Sequence, residues 1–245
     1  MRYFLLLLTA ILFQACQKEM PSVQIIVDQA IAYSCGSGCE ASEVSFDFRD
    51  KHYSRTRRGG LFTYRRSFED SLGQIRDELS NEGFKRYVND SLVVVVDSMA
   101  NKYANSVNSV HYFSQLPYGL NDPATIKELR GVVQINGKAY YEVLVWFRQE
   151  GGGKDYDDQF LYWFDTDDLR LDYFAYSYLT DGGGVRFREA YNPRSISGYR
   201  VVDYKNYKPA DKETPLEELP VLFERGELEL LSTIENKNVQ VRLLD

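Results

Sequence analysis

The sequence predicts an α+β fold: a single domain on a strongly curved antiparallel sheet of about ten or eleven strands, a half-barrel with helices on its concave side. Three observations carry this expectation. Short runs with period-two alternation recur along most of the chain, separated by turn residues. Two stretches instead carry apolar residues at three- and four-residue steps, the mark of an amphipathic helix. No Pro/Gly/Ser-rich or charged linker divides the 245 residues.

The first helix is expected over residues 22–34, opened by Ser22 or Pro21, with Val23, Ile26, Val27, Ala30 and Ile31 on one face. From Glu43 the period changes to two: Val44, Phe46 and Phe48 alternate with Ser45, Asp47 and Arg49. Asp50, Lys51 and His52 read as a turn, with strands following over residues 61–68, 74–79, 84–88 and 91–96. Asn89-Asp90 suits a two-residue hairpin, and strands joined by turns this short run antiparallel. A second helix is expected from Asp97 or Ser98 to Leu116, with Pro117 and Gly119 ending it. A short helical turn follows over residues 122–128. A second meander is expected over residues 132–135, 139–149, 159–165, 170–179, 185–191, 197–207, 227–234 and 239–243, with Asn136-Gly137 as its first turn. Residues 216–223 read as a loop or short turn held by Pro215 and Pro220. The two helix-plus-meander halves show no convincing sequence repeat.

The start of the chain reads as a targeting segment. Arg2 precedes an apolar run over residues 3–13, broken only by Thr9. That is too short for a membrane span, which needs about 20 residues, and suits a secretory signal. It ends in Leu12-Phe13-Gln14-Ala15-Cys16, which resembles a bacterial lipobox, with Phe13 where that pattern prefers Leu. The resemblance implies a signal over residues 1–15, a diacylglycerol on the Cys16 thiol, a tether over 16–21 and the domain over 22–245. The alternative is an ordinary signal cut nearby. Two or three acyl chains would anchor the protein stably. Gln17-Lys18-Glu19 resembles the polar tags that send Bacteroidota lipoproteins to the cell surface. The expected location is the outer membrane, lipid-anchored, on its periplasmic face or at the cell surface. The net charge of −7 argues against nucleic acid as a partner and against broad adhesion to anionic lipid.

Cys35 and Cys39 stand in Cys-Gly-Ser-Gly-Cys. In an exported protein a structural disulfide is the first reading; a redox-active pair or half of a metal site are the alternatives. His52 and His111, the only histidines, show no cluster spacing and read as surface or locally bonded residues. No metal and no cofactor is expected. Asp155, Asp157 and Asp158, in the glycine-rich run over residues 151–158, are weak candidates for a hard cation. Their spacing is not that of an EF-hand, and Asp in the turns of a wide hairpin is the plainer reading. No nucleophile signature occurs, so no catalytic residue is singled out. Arg57-Arg58, Arg65-Arg66 and Lys85-Arg86 read as a solvated basic side of the first meander.

The 19 Tyr, 14 Phe and 2 Trp are more telling, because they fall on both faces of adjacent strands. That demands either cover over the second face or an apolar cavity. The ligand-binding candidates are Tyr141, Trp146, Phe160, Tyr162, Trp163, Phe164, Tyr173, Phe174 and Tyr176. Only alternate members along each strand can face one cavity.

Residues 44–49 (VSFDFR), 108–122 (NSVHYFSQLPYGLND), 151–165 (GGGKDYDDQFLYWFD), 199–207 (YRVVDYKNY) and 226–234 resemble a family of Bacteroidota lipoproteins that has no assigned activity. In that family Asp-His is common where Asp155-Tyr156 stands here, which weakens a metal or catalytic role for the loop. The layout also resembles the LolA/LolB carriers, which hold lipoprotein acyl chains inside an incomplete barrel. These resemblances imply a non-enzymatic envelope lipoprotein that binds an apolar ligand, a lipid or acyl group. The alternatives are an envelope hydrolase using carboxylates of residues 155–158, and a structural or adhesive surface protein. The sequence carries no signal for oligomeric state.

Overall fold

The computed structural model describes residues 20–150, 158–179 and 182–244. Cys16, Asp155 and Asp157 lie outside the described residues. The described residues form two open seven-stranded sheets, all of whose ladders are antiparallel, and three α-helices. The expected single sheet of ten or eleven strands is therefore corrected to fourteen strands in two sheets. No helix among the described residues is long and apolar enough to cross a membrane.

Helix α1 (Val23–Ser34) starts where the pattern places it, with Ser22 Oγ accepting the Ile25 N–H at 3.3 Å. The first sheet is a meander of β1 (Ala41–Phe48), β2 (Lys51–Arg58), β3 (Leu61–Asp70), β4 (Gly73–Ser80), β5 (Gly83–Val88) and β6 (Ser91–Val93). Asn89 and Asp90 join the last two with φ of 48° and 62°, the double left-handed turn that matches strand twist. Helix α2 (Asp97–Ser114) leads out of this sheet. The second sheet holds β7 (Thr125–Ile135), β8 (Lys138–Phe147), β9 (Gln159–Asp165), β10 (Leu171–Tyr178), β11 (Gly184–Ile196), β12 (Tyr199–Lys208) and β13 (Glu229–Ile234). Between β12 and β13 lies helix α3 (Leu219–Glu224). Strand β14 (Lys237–Leu243) crosses back to pair with β1.

Three elements differ from expectation, each for a local reason. Strand β2 replaces a turn and a stretch without assignment. Its inward positions are Tyr53 and Arg55, so its alternation is of size and not of polarity. Strand β7 replaces the helical turn over residues 122–128. Pairing with β8 overrides local preference there, and a register shift at Gly131 (φ 139°) interrupts the alternation. Residues 216–224 form a 3-10 turn and α3 in place of a loop, because Leu216 and Leu219 are buried against the second sheet.

The inner face of the second sheet packs Val143, Val145, Phe160, Tyr162, Phe164 and Phe174 against Ile26, Val27 and Ala30 of α1. Its outer face packs Trp163, Tyr173 and Phe187 against Leu216, Leu219 and Phe223. A register shift between Leu171 and Tyr173 turns Leu171 to the inner face, while Tyr173 and Ala175 face outward. The inner face of the first sheet receives α2. There His111 is fully buried, stacked on Tyr64 at 4.6 Å, with its Nε2 bonded to the Arg65 carbonyl at 3.1 Å. It is a core residue, not a surface one. The basic side is solvated only in part: Arg58 is exposed and the Lys85 side chain is 40% exposed, but two of its arginines are not. Arg66 and Arg86 converge on the fully buried Asp77, at closest distances of 2.6 Å each. Carboxylate and guanidinium groups that far from water need this pairing.

The sheets meet at a seam. Cys35 and Cys39 are joined by a disulfide, Cα–Cα 5.3 Å, and pack with Phe46, Tyr53 and Tyr199. The Tyr199 hydroxyl bonds to the Gly38 carbonyl and to Ser42 Oγ, so β12 of one sheet grips the start of the other.

Candidate functional site

A cavity of about 1130 Å³ lies between the sheets alongside α2. This slightly exceeds the roughly 300–1,000 Å³ of ordinary small-molecule pockets. One wall is the inner face of the second sheet, with Phe147, Phe160, Tyr176 and Tyr178; α2 adds Tyr112 and Phe113; the first sheet adds Arg57, Phe62 and Tyr64.

The aromatic wall is a connected array. Phe160 stacks on Tyr176 at 5.5 Å and meets Phe147 edge-on at 5.8 Å. Phe113 lies 5.3 Å from Tyr176 and stacks on Phe174 at 5.6 Å. Behind it the Tyr112 and Tyr162 hydroxyls share a hydrogen bond of 2.9 Å. Burial pushes both phenols far above their usual range, so the wall carries no charge from them at any ordinary pH. Burial likewise pushes the Tyr204 phenol up to about 12.

Of the nine aromatic candidates, Phe160 and Tyr176 line the cavity. Tyr162, Phe164 and Phe174 belong to the same inner face but are fully buried behind it, and Tyr141 packs against that cluster. Trp146, Trp163 and Tyr173 point the other way, into the outer core. Period-two alternation separates them, and α3 supplies the cover that lets both faces carry aromatics. Trp163 Nε1 donates to Glu142 at 2.9 Å on that outer side. Tyr112, Phe113, Phe147, Tyr178, Arg186 and Arg188 line the cavity without being among the candidates. Phe147 and Tyr178 follow from extending the alternation of β8 and β10. The helix residues do not, because a helical period says nothing about which strand it faces.

The cavity is not apolar throughout. Arg57, Arg186, Arg188, Asn105, Asn108 and Asn206 also line it, as do Glu40, Asp122 and Asp158. Two aspartates that follow the glycine-rich run, Asp165 and Asp172, are tied into ion pairs. Asp165 is held by Lys138, by Arg170 at 3.3 Å and by the Asp167 N–H at 2.8 Å. Asp172 pairs with Arg200 at 3.0 Å. Among the described residues no group of three His, Cys, Asp or Glu is placed to hold a metal ion.

The fold has a solved counterpart. A LolA superfamily protein from Nitrosomonas europaea is similar over 92% of this chain and 96% of its own, with a TM-score of 0.53 and 12% identity. At that identity the likeness is one of fold. A DUF1329 family protein from Desulfovibrio piger is similar over 89% of this chain and 92% of its own, with a TM-score of 0.42 and 11% identity. No curated protein matches the sequence. Residues 1–236 match the model of DUF6503, a family of unknown function, and the chain belongs to that family.

Proposed function

We propose that this protein is a non-enzymatic envelope lipoprotein, anchored through Cys16, whose cavity takes up the acyl chain of a lipid. The observation that carries the reading is the large cavity between the sheets with its connected aromatic wall. Each methylene moved from water into such a site contributes about 0.8 kcal/mol. A chain of a dozen methylenes would thus gain on the order of 10 kcal/mol before ordering costs are subtracted. The fold shared with a LolA superfamily protein supports the reading, as does the lipobox-like Leu12–Cys16. In this reading residues 22–245 form one domain on a tether of residues 16–21. The anchor sits in the outer membrane, on the periplasmic face or at the cell surface.

Native mass spectrometry after mild extraction is expected to show co-purifying lipid. The delipidated protein is expected to bind a fluorescent fatty-acid probe saturably. Ser109 is an exposed α2 residue that lines the cavity, and S109W should fill part of it and weaken probe binding by about tenfold, or 1.4 kcal/mol. Absence of both lipid adducts and saturable binding would remove the proposal. The anchor is tested separately: cells fed an alkyne fatty acid should label the wild-type protein and not C16A.

A further inference from the structure

One wall of the cavity holds a buried cation with no counter-ion among the described residues. Arg188, on the inner face of β11, lines the cavity yet is only 7% exposed. Its Nη2 donates to the Tyr176 hydroxyl at 2.9 Å, while its Nε is buried with no acceptor. Among the described residues it forms no ion pair. Three rings close around the guanidinium, with Cζ 4.2 Å from the centre of Phe113, 5.2 Å from Tyr176 and 5.3 Å from Phe174. Such a cage favours a cation but does not neutralise it, and a buried charge ordinarily has a partner.

The surroundings repeat the pattern. Asn206, directly across the β11–β12 ladder from Arg188, also lines the cavity and leaves its Oδ1 buried and without a partner. Its Nδ2 donates to Ser232 Oγ at 3.4 Å. Arg186, two residues along β11, lines the cavity over the Tyr178 ring at 5.0 Å. Its Nη1 donates to the Val185 carbonyl at 2.8 Å, and among the described residues it too forms no ion pair. Two carboxylates that share the cavity are engaged elsewhere: Glu40 accepts from the Tyr118 hydroxyl at 3.1 Å, and Asp122 accepts from the Ala124 N–H at 2.8 Å.

We propose that the cavity selects an anionic amphiphile. The acyl chain lies on the wall made by Phe147, Phe160 and Tyr112, and the anionic head, a carboxylate or a phosphate, is met by Arg188 with Arg186 beside it. A guanidinium fork suits both heads, because each offers two oxygens in one plane. This inference rests on the acyl-binding reading above and adds the charge of the ligand.

The test uses the delipidated full-length protein and three probes with one tail: palmitate, hexadecyl phosphate and hexadecanol. Calorimetry below their critical micelle concentrations is expected to show at least one anion binding tenfold or more tighter than the alcohol. The better of the two identifies the head. In R188M and in the polar isostere R188Q the ratio of anion to alcohol affinity should fall close to one. R188K, which keeps the charge and loses the fork, should retain part of it. Equal binding of all three probes to the wild type would overturn the charge proposal and leave acyl binding intact. A preference that survives in a folded R188M or R188Q protein would overturn it as well. Failure of all three probes to bind would remove the acyl reading and this one together.

Discussion

At the scale of single residues, His111 shows how burial converts a titratable side chain into a stability sensor. Burial lowers its pKa from 6.5 to about 3, against the smaller opposing effect of its bond to the Arg65 carbonyl. Between those values the unfolded chain binds a proton that the folded chain refuses. Stability contributed by the neutral imidazole is therefore complete above pH 6.5 and is lost progressively as the pH falls toward 3. Between pH 7 and pH 5 this should remove about 2 kcal/mol of unfolding free energy. Urea melts at the two pH values are expected to show that loss in the wild type and a smaller one in H111Q; identical losses would show an imidazole that titrates as if in water. Nothing in the sequence around His111 foretells this, since its partners Phe46, Tyr53 and Tyr64 come from three other strands. The same holds for Arg66 and Arg86. Their charges look solvated until the sheet brings Asp77 between them. Arg188 and Asn206 are illegible too: alternation places them on one face, but does not show that Arg188 sits among three rings with no ion pair among the described residues.

At the scale of elements, strands with a clear polarity rhythm were readable and those governed by pairing were not. Strand β1 and helix α1 follow directly from their apolar spacing. Strand β2 was hidden because an inward arginine breaks the hydrophobic pattern, and β7 because its identity comes from β8. Helix α3 is the element with the largest consequence. A segment that reads as a loop or short turn roofs the outer face of the second sheet, which places Trp146, Trp163 and Tyr173 in a core and not in the cavity wall. That role is testable. Leu219 is fully buried, and L219A should cost about 2–5 kcal/mol. Both tryptophans of the chain belong to this core, so the variant's intrinsic fluorescence should shift to the red before global unfolding. An unchanged emission maximum across the melt would mean that α3 does not shield them.

At the scale of the whole molecule, the cavity exists because two sheets are held at a fixed separation, and the seam that sets this separation is small. Gly38 stands in its narrowest part. A Cβ there would meet Leu243 Cδ2 and Tyr199 Cε2, each at 2.8 Å, one from β14 and the other from β12. The exposed Leu243 side chain can rotate away, but the Tyr199 ring is buried and tied by its hydroxyl to Gly38 and Ser42. G38A is therefore expected to destabilise the protein by about 1–3 kcal/mol through overpacking. Because the strain falls between the sheets, it should also alter acyl-probe affinity although residue 38 is not in the cavity wall. Thermal melts and probe titrations on the same preparation check both effects, and a loss of stability with unaltered affinity would argue that the sheets respond independently.

The return of β14 to β1 carries a cost in assembly. Arg242 bonds to Glu43, 199 residues away along the chain, so one side of β1 stays unpaired until the chain has been made through β14. A growing chain thus carries a bare row of amide and carbonyl groups over that interval, an open invitation to pair with a neighbour of the same kind. Contacts of such long sequence separation also form late. Docking of this closing strand is then expected to be a late event in folding, and the interval before it is when two copies are most prone to pair through β1.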